Sequence, residues 1–119
     1  MRANLIIPGK QEVDRALALS MLLTGLVNLN VSIMRRRHLP SLYKSGVFYC
    51  KDRAQWRNAL SVLKHGCADC KSLSAYLAAE IITHGGHARV IVDRTGPRTL
   101  HARVESNGRI LDPSKVLGM

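Results

Sequence analysis

Aromatic rings are scarce in this chain, with one Trp, one Phe and three Tyr among 119 residues. A core built without rings has to rest on Leu, Val, Ile, Ala and Met, so it is small and leaves room for a partner to add stability. The same scarcity leaves no ladder of rings on which unpaired bases could stack. Acidic side chains are also few: eight Asp and Glu face eighteen Lys and Arg, for a net charge of +10. Such an excess attracts polyanions of any kind, whether nucleic acid, anionic lipid or an acidic protein surface. The charges are scattered from Arg2 to Lys115, however, and the only run is Arg35-Arg36-Arg37. A basic, well-solvated surface is therefore the favoured reading, ahead of nucleic-acid binding. Repeats and low-complexity tracts are missing, and 46% apolar with 22% charged residues excludes an intrinsically disordered chain. The length suits one domain over residues 1–119.

Cysteine is limited to Cys50, Cys67 and Cys70, a set that cannot pair completely within one chain. Met1 to Gly9 lacks the charged start and long apolar stretch of a secretory signal. A reducing compartment follows as the expectation, with cysteines that are free, catalytic or metal-bound rather than in structural disulfides. One apolar stretch, Ala16 to Met34, approaches the length of a membrane-spanning helix. Ser20, Thr24, Gly25, Asn28, Asn30 and Ser32 dilute it, so a long buried core helix is expected and no membrane span.

Pro8-Gly9 closes a short apolar start at Leu5 to Ile7, and a helix is expected to begin near Gln11 to Asp14. Acidic residues in its first turn and Arg35 to Arg37 in its last would suit the helix dipole, and Pro40 stops it. Ser41 to Cys50 reads as an extended connector that turns at Gly46. A second helix is predicted from about Asp52 to Lys64, with Trp56, Ala59, Leu60 and Leu63 on its buried face and Gly66 at its end. A third opens at or just before Cys70 and runs to about Thr83, where Gly85-Gly86 supplies a left-handed stop. The period then changes from helical to alternating. Ala88 to Asp93, Thr99 to Glu105 and Arg109 to Asp112 read as three strands of an antiparallel meander, and Asn107-Gly108 marks a type I′ hairpin turn. Helices first and a small antiparallel sheet second make an α+β domain.

Cys70 stands where a helix begins. Unpaired N–H groups at that end favour a thiolate and can receive an oxyanion formed when sulfur attacks a carbonyl. Asp69 opposes this unless it is engaged in capping. A nucleophilic sulfur also needs a histidine to carry protons and a third group to hold the ring. With a two-residue turn, Ser106 faces Arg109, Glu105 faces Ile110, Val104 faces Leu111 and Arg103 faces Asp112. His101 and Asp112 then become diagonal neighbours on one face, within hydrogen-bonding reach. A loop one residue longer would place them on opposite faces.

Gly66-Cys67-Ala68-Asp69-Cys70 before a helix, His101-Ala102-Arg103-Val104-Glu105, and Leu111-Asp112-Pro113-Ser114 together resemble the core of the transglutaminase-like superfamily, relatives of papain-like cysteine enzymes. The resemblance spans about Asp52 to Met119, with Cys67 standing where the family usually has Gly. The closing stretch from Asp112 to Met119 and Leu42 to Val47 look like small members from bacteriophages and prophages. The resemblance implies a Cys70-His101-Asp112 triad and acyl transfer on a protein or peptide substrate, as amide hydrolysis or transglutaminase-type transfer. It implies no cofactor and no metal, a location in the bacterial host cytoplasm or on the virion, and other virion proteins as further partners. Gln55, Trp56 or Tyr49 could supply an oxyanion-hole side chain.

Three other readings compete. Cys67-x-x-Cys70 is half of a zinc ligand set that His65, His84, His87, Cys50 or His101 could complete. A thioredoxin-like pair should follow a strand in a βαβ unit, and this one follows a helix. A non-catalytic, basic structural or assembly protein of a phage particle, using the fold as a binding module, is the main alternative to the enzyme.

Overall fold

The computed structural model describes residues 8–52, 55–97 and 99–119. The expected apolar start at Leu5 to Ile7 lies outside them. The chain forms α1 (Pro8–Arg36), a short 3-10 turn (Leu42–Lys44), β1 (Phe48–Tyr49), α2 (Ala59–His65), β2 (Cys67–Ala68), α3 (Cys70–Thr83), β3 (Arg89–Gly96), β4 (Thr99–Ser106), β5 (Arg109–Leu111) and α4 (Pro113–Val116). It is an α+β fold with two small sheets. β3, β4 and β5 form the antiparallel meander in that order, and β1 pairs with β2 in parallel.

The centre of the molecule is α3. Every residue from Ser72 to Ala79 is buried. Most of these are Ala or Ser, and side chains that small let α1 approach one flank while β4 approaches another. The inward faces of Ala102 and Val104 complete the core with Leu23, Val27 and Val31 from α1. Val90 and Val92 pack against it, as the alternation of β3 requires. Four polar groups of α3 tie down three other segments of the chain. Ser72 Oγ accepts from Arg57 N at 3.0 Å, and Ser74 Oγ donates to Ala102 O at 3.1 Å. Tyr76 donates its hydroxyl to Pro40 O at 2.6 Å, and one turn later Glu80 Oε1 accepts from Leu42 N at 2.9 Å. The connector after α1 is thus pinned to α3 at two points. Burial, followed by the charge of Glu80, pushes the Tyr76 hydroxyl up to about 12.

The first helix starts earlier than the sequence suggested, at Pro8, an imino acid suited to a first helical position because its missing N–H would be unpaired there anyway. It is also not the fully buried core helix expected. Leu17, Met21, Leu22 and Leu29 stand 47–68% exposed. The segment Arg15–Arg36 is long and apolar enough to cross a membrane by length and composition, and 22% of its apolar window is buried within the fold. The reason is geometric. Only one stripe of α1 has a neighbour: Leu23, Val27, Asn30 and Val31 face the core, while Met21, Leu22 and Leu29 lie at the same level along the helix and face away. Asn30, which dilutes the apolar run, is fully buried on that stripe and accepts from Ala59 N at 2.8 Å, satisfying a donor at the start of α2.

The second helix is shorter than predicted. It begins at Ala59, capped by Asn58, whose side chain accepts from Ser61 N at 2.9 Å. Trp56 lies before it and is 41% exposed, so Ala59 and Val62, with Leu63 partly covered, form the buried face instead. Gly66 closes the helix at φ +89, a left-handed conformation that side chains disfavour. The turn at Asn107 and Gly108 has φ values of +52 and +80, as a type I′ hairpin demands. Its register pairs Ser106 with Arg109, Glu105 with Ile110 and Val104 with Leu111.

Candidate active site

Cys70 is the first residue of α3, and Asp69 is its N-cap. The Asp69 carboxylate accepts from Lys71 N at 3.2 Å and forms an ion pair with the Lys71 ammonium. Its charge is therefore engaged in capping and pairing. The Lys71 ammonium also lies 5.7 Å from the centre of the Trp56 ring, which locates that exposed ring at the rim of the site.

The sulfur of Cys70 reaches across to β4, where Ala102 N donates to it at 3.5 Å. Sheet geometry explains why that amide is available. Residues 104 and 106 of β4 direct their backbone polar groups toward β5, and residue 102 is the next in that alternating series. But β5 ends at Leu111, and Pro113 opens α4. The first turn of α3 fills the vacancy. Cys70 takes the N–H of Ala102 while Ser74, one helical turn on, bonds its carbonyl. A single strand residue is thereby clamped to the start of the helix at both of its backbone groups.

The residue beside it is His101. Asp112 Oδ2 accepts from His101 Nε2 at 3.0 Å, and the two side chains are only 13% and 19% exposed. The hairpin register thus brings together the pair expected from sequence. Asp112 is held in turn as the N-cap of α4, with Oδ1 accepting from Lys115 N at 3.4 Å. A carboxylate can only accept, so the proton of a neutral His101 ring resides on Nε2 and Nδ1 carries the free lone pair. Nδ1 is the ring nitrogen nearer the backbone, and the Cys70 sulfur touches the strand at the very next amide.

Electrostatics modify one expectation. Burial pushes the Cys70 thiol up from its ordinary value of 9.0, and the carboxylates of Asp69 and Asp112 add to this. The Ala102 N–H and the Lys71 ammonium act in the opposite direction without reversing it. The helix start alone therefore does not supply a standing thiolate, and any ionisation has to be assisted.

A shallow cleft of about 290 Å³ opens beside the sulfur, lined by Tyr49, Lys51, Lys71, Leu100 and Ala102 with Cys70 among them. Of the three oxyanion-hole candidates, Tyr49 is the one that faces this cleft. Its hydroxyl is pushed up by burial and then by charge on Cys70 and Asp69. Gln55 is exposed, and Trp56 is turned to Lys71.

The cysteine expectation needs correction. Cys50 and Cys67 are joined in a disulfide, and Cys70 alone is free. The pairing of β1 with β2 sets Phe48 opposite Cys67 and leaves the Cα atoms of Cys50 and Cys67 5.6 Å apart, within the usual span of a disulfide. Cys67 and Cys70 are accordingly not two halves of one zinc site. His84 lies at the far end of α3, about 20 Å from Cys70 along the helix. The clamp by Ser74 and Ala102 escaped the sequence because neither residue carries a chemical signature. The small residues of α3 were the only hint of a close helix-to-strand contact.

No family model, curated protein or solved structure matches the chain.

Proposed function

We propose that the protein is a cysteine-dependent acyl-transfer enzyme in which Cys70 is the nucleophile, His101 the general base and acid, and Asp112 the group that orients the ring. The observation that carries this reading is the 3.0 Å Asp112–His101 hydrogen bond one peptide away from the 3.5 Å contact between Ala102 N and the Cys70 sulfur. Asp112 holds the proton on Nε2, so Nδ1 is the nitrogen that accepts from the Cys70 thiol. The thiol is un-ionised at rest, and proton transfer to Nδ1 accompanies attack of the sulfur on a carbonyl carbon. Backbone N–H groups at the start of α3 stabilise the oxyanion, with the Tyr49 hydroxyl across the cleft as a second donor. The leaving amine takes the proton back from Nδ1, leaving a thioester on Cys70. Water then yields hydrolysis, whereas an amine yields transfer. The open cleft suits an extended peptide or a protein side chain better than an enclosed small molecule.

The resemblance to the transglutaminase-like superfamily, and within it to small phage and prophage proteins, supports the same assignment. The Cys50–Cys67 disulfide fits a virion-associated location better than a host cytoplasm, where thiols are kept reduced. A second reading, a non-catalytic assembly module, draws on the exposed apolar row of α1. An activated acyl ester with a chromogenic leaving group separates the two. The enzyme reading requires a burst of one equivalent per chain and an acyl adduct on Cys70, both lost in Cys70→Ser. A wild-type protein that shows neither is a binding module.

A further inference from the structure

Away from the triad, three soft donors converge where α2 meets the two-stranded sheet. The sulfurs of Cys50 and Cys67 and a ring nitrogen of His65 lie within 4.8 Å of one another. Their convergence is built by the backbone. His65 is the last residue of α2, and left-handed Gly66 turns the chain directly into Cys67. Parallel pairing of β1 with β2 brings Cys50, just past the end of β1, alongside Cys67, with Cys50 N donating to Ala68 O at 2.9 Å. We infer that the chain with its Cys50–Cys67 bond reduced binds one thiophilic divalent cation of the zinc type through Cys50, Cys67 and His65.

Two thiolates and an imidazole are a zinc donor set. Tetrahedral Zn–S bonds of about 2.3 Å separate two sulfurs by about 3.8 Å, a change that side-chain rotation supplies with the backbone in place. The Cα separation of 5.6 Å leaves room for it. His65 is exposed and both cysteines are partly so, which gives the cation a path in and leaves the fourth position to water. The chemistry balances in two steps. Two molecules of a small thiol reduce the disulfide, becoming a disulfide themselves and delivering two electrons and two protons to the two sulfurs. The cation then displaces two protons as both thiols bind it as thiolates. The donors of this site are distinct from Cys70, so the inference does not rest on the acyl-transfer reading.

The test uses the full chain and the metal alone. Protein reduced with a water-soluble phosphine, then freed of it under argon, is titrated with Co²⁺ and back-titrated with Zn²⁺. Phosphine oxidation to its oxide supplies the two electrons. One equivalent of Co²⁺ should give a thiolate-to-cobalt charge-transfer band and tetrahedral visible bands, which Zn²⁺ abolishes. The unreduced protein should give none. Cys50→Ser and Cys67→Ser should each lose the charge-transfer intensity of one sulfur and bind far more weakly. His65→Ala, at an exposed position that does not threaten folding, should weaken binding at least about tenfold, the scale on which even an outer partner of a ligand matters. Cys70→Ser should bind as the wild type does while losing the acyl burst. The inference is overturned if reduced protein shows no such bands at one equivalent, if His65→Ala binds as tightly as wild type, or if Cys70→Ser loses the cation as Cys67→Ser does.

Discussion

Asp112→Asn is the most informative single change because the carboxylate serves two partners at once. Oδ2 accepts from His101 Nε2 at 3.0 Å, and Oδ1 accepts from Lys115 N at 3.4 Å. An amide retains only one acceptor oxygen. If that oxygen stays on Lys115 N, the new NH2 group faces Nε2, which must then accept, and the ring proton moves to Nδ1. If it turns to His101, the cap of α4 is lost. The cap bond is long, so its loss costs about 0.5–1 kcal/mol. The melting temperature should thus fall by only a few degrees in either case. Chemistry should suffer far more: where the oxygen stays on Lys115 N, Nδ1 carries the ring proton and cannot take that of Cys70, and where it turns to His101 the tautomer survives but the imidazolium loses the negative charge that stabilises it. Burial pushes the thiol up, so unassisted thiolate is scarce at pH 7. Iodoacetamide reports this directly, since Cys70 is the one free cysteine. We expect alkylation at pH 7 to fall at least about tenfold in Asp112→Asn, and acyl turnover to fall by about 10²–10⁴, the range of general-base assistance. The readouts are alkylation rate against pH by intact mass, with a thermal melt alongside. An Asp112→Asn protein that alkylates with the wild-type pH profile would refute the coupling of the three residues.

Other changes test neighbouring parts of the structure. His101→Ala should leave a Cys70 alkylation rate that keeps climbing with pH to beyond 9.0, because burial raises the thiol and nothing remains to take its proton. Glu105→Gln breaks an exposed ion pair with Arg89 on the same sheet face, so it should change stability by less than about 1 kcal/mol and leave that profile alone. Ser74→Ala orphans the Ala102 carbonyl inside the core, which should cost about 1–3 kcal/mol by denaturant unfolding and slow Cys70 as β4 loosens. Reduction of Cys50–Cys67 in metal-free buffer frees a loop with a sequence separation of 17 and should lower unfolding stability by about 3 kcal/mol.

The parts of the fold that were legible in the sequence are those fixed by local chemistry. Asn107-Gly108 accepts two successive positive φ angles at little cost, and that turn sets the register of β4 and β5 and so the meeting of His101 with Asp112. Asp69 before an uninterrupted helical pattern fixed Cys70 at a helix start. Features made by distant packing were not legible. Two-residue strands carry no periodicity, so the β1–β2 pair and the disulfide beside it left no trace. Trp56 falls in helical phase with Ala59 and Leu63, yet Asn58 starts the helix after it and its ring goes to Lys71. The apolar pattern of α1 announced a helix, but not that only one of its apolar faces would find an element to cover it.

That uncovered face bears on how copies of the chain should meet. The row from Leu17 to Leu29 is adhesive toward its like, and Trp56 widens it at the groove it shares with Leu22 and Leu26. A charge of +10 opposes approach. The two forces have different ranges. Repulsion extends about 30 Å at 0.01 M salt but only about 3 Å at 1 M, whereas apolar contact hardly weakens with added salt. Clustering should therefore grow as salt or a neutralising polyanion removes the charge that holds the rows apart, and light scattering read from about 0.01 M to about 1 M salt checks it.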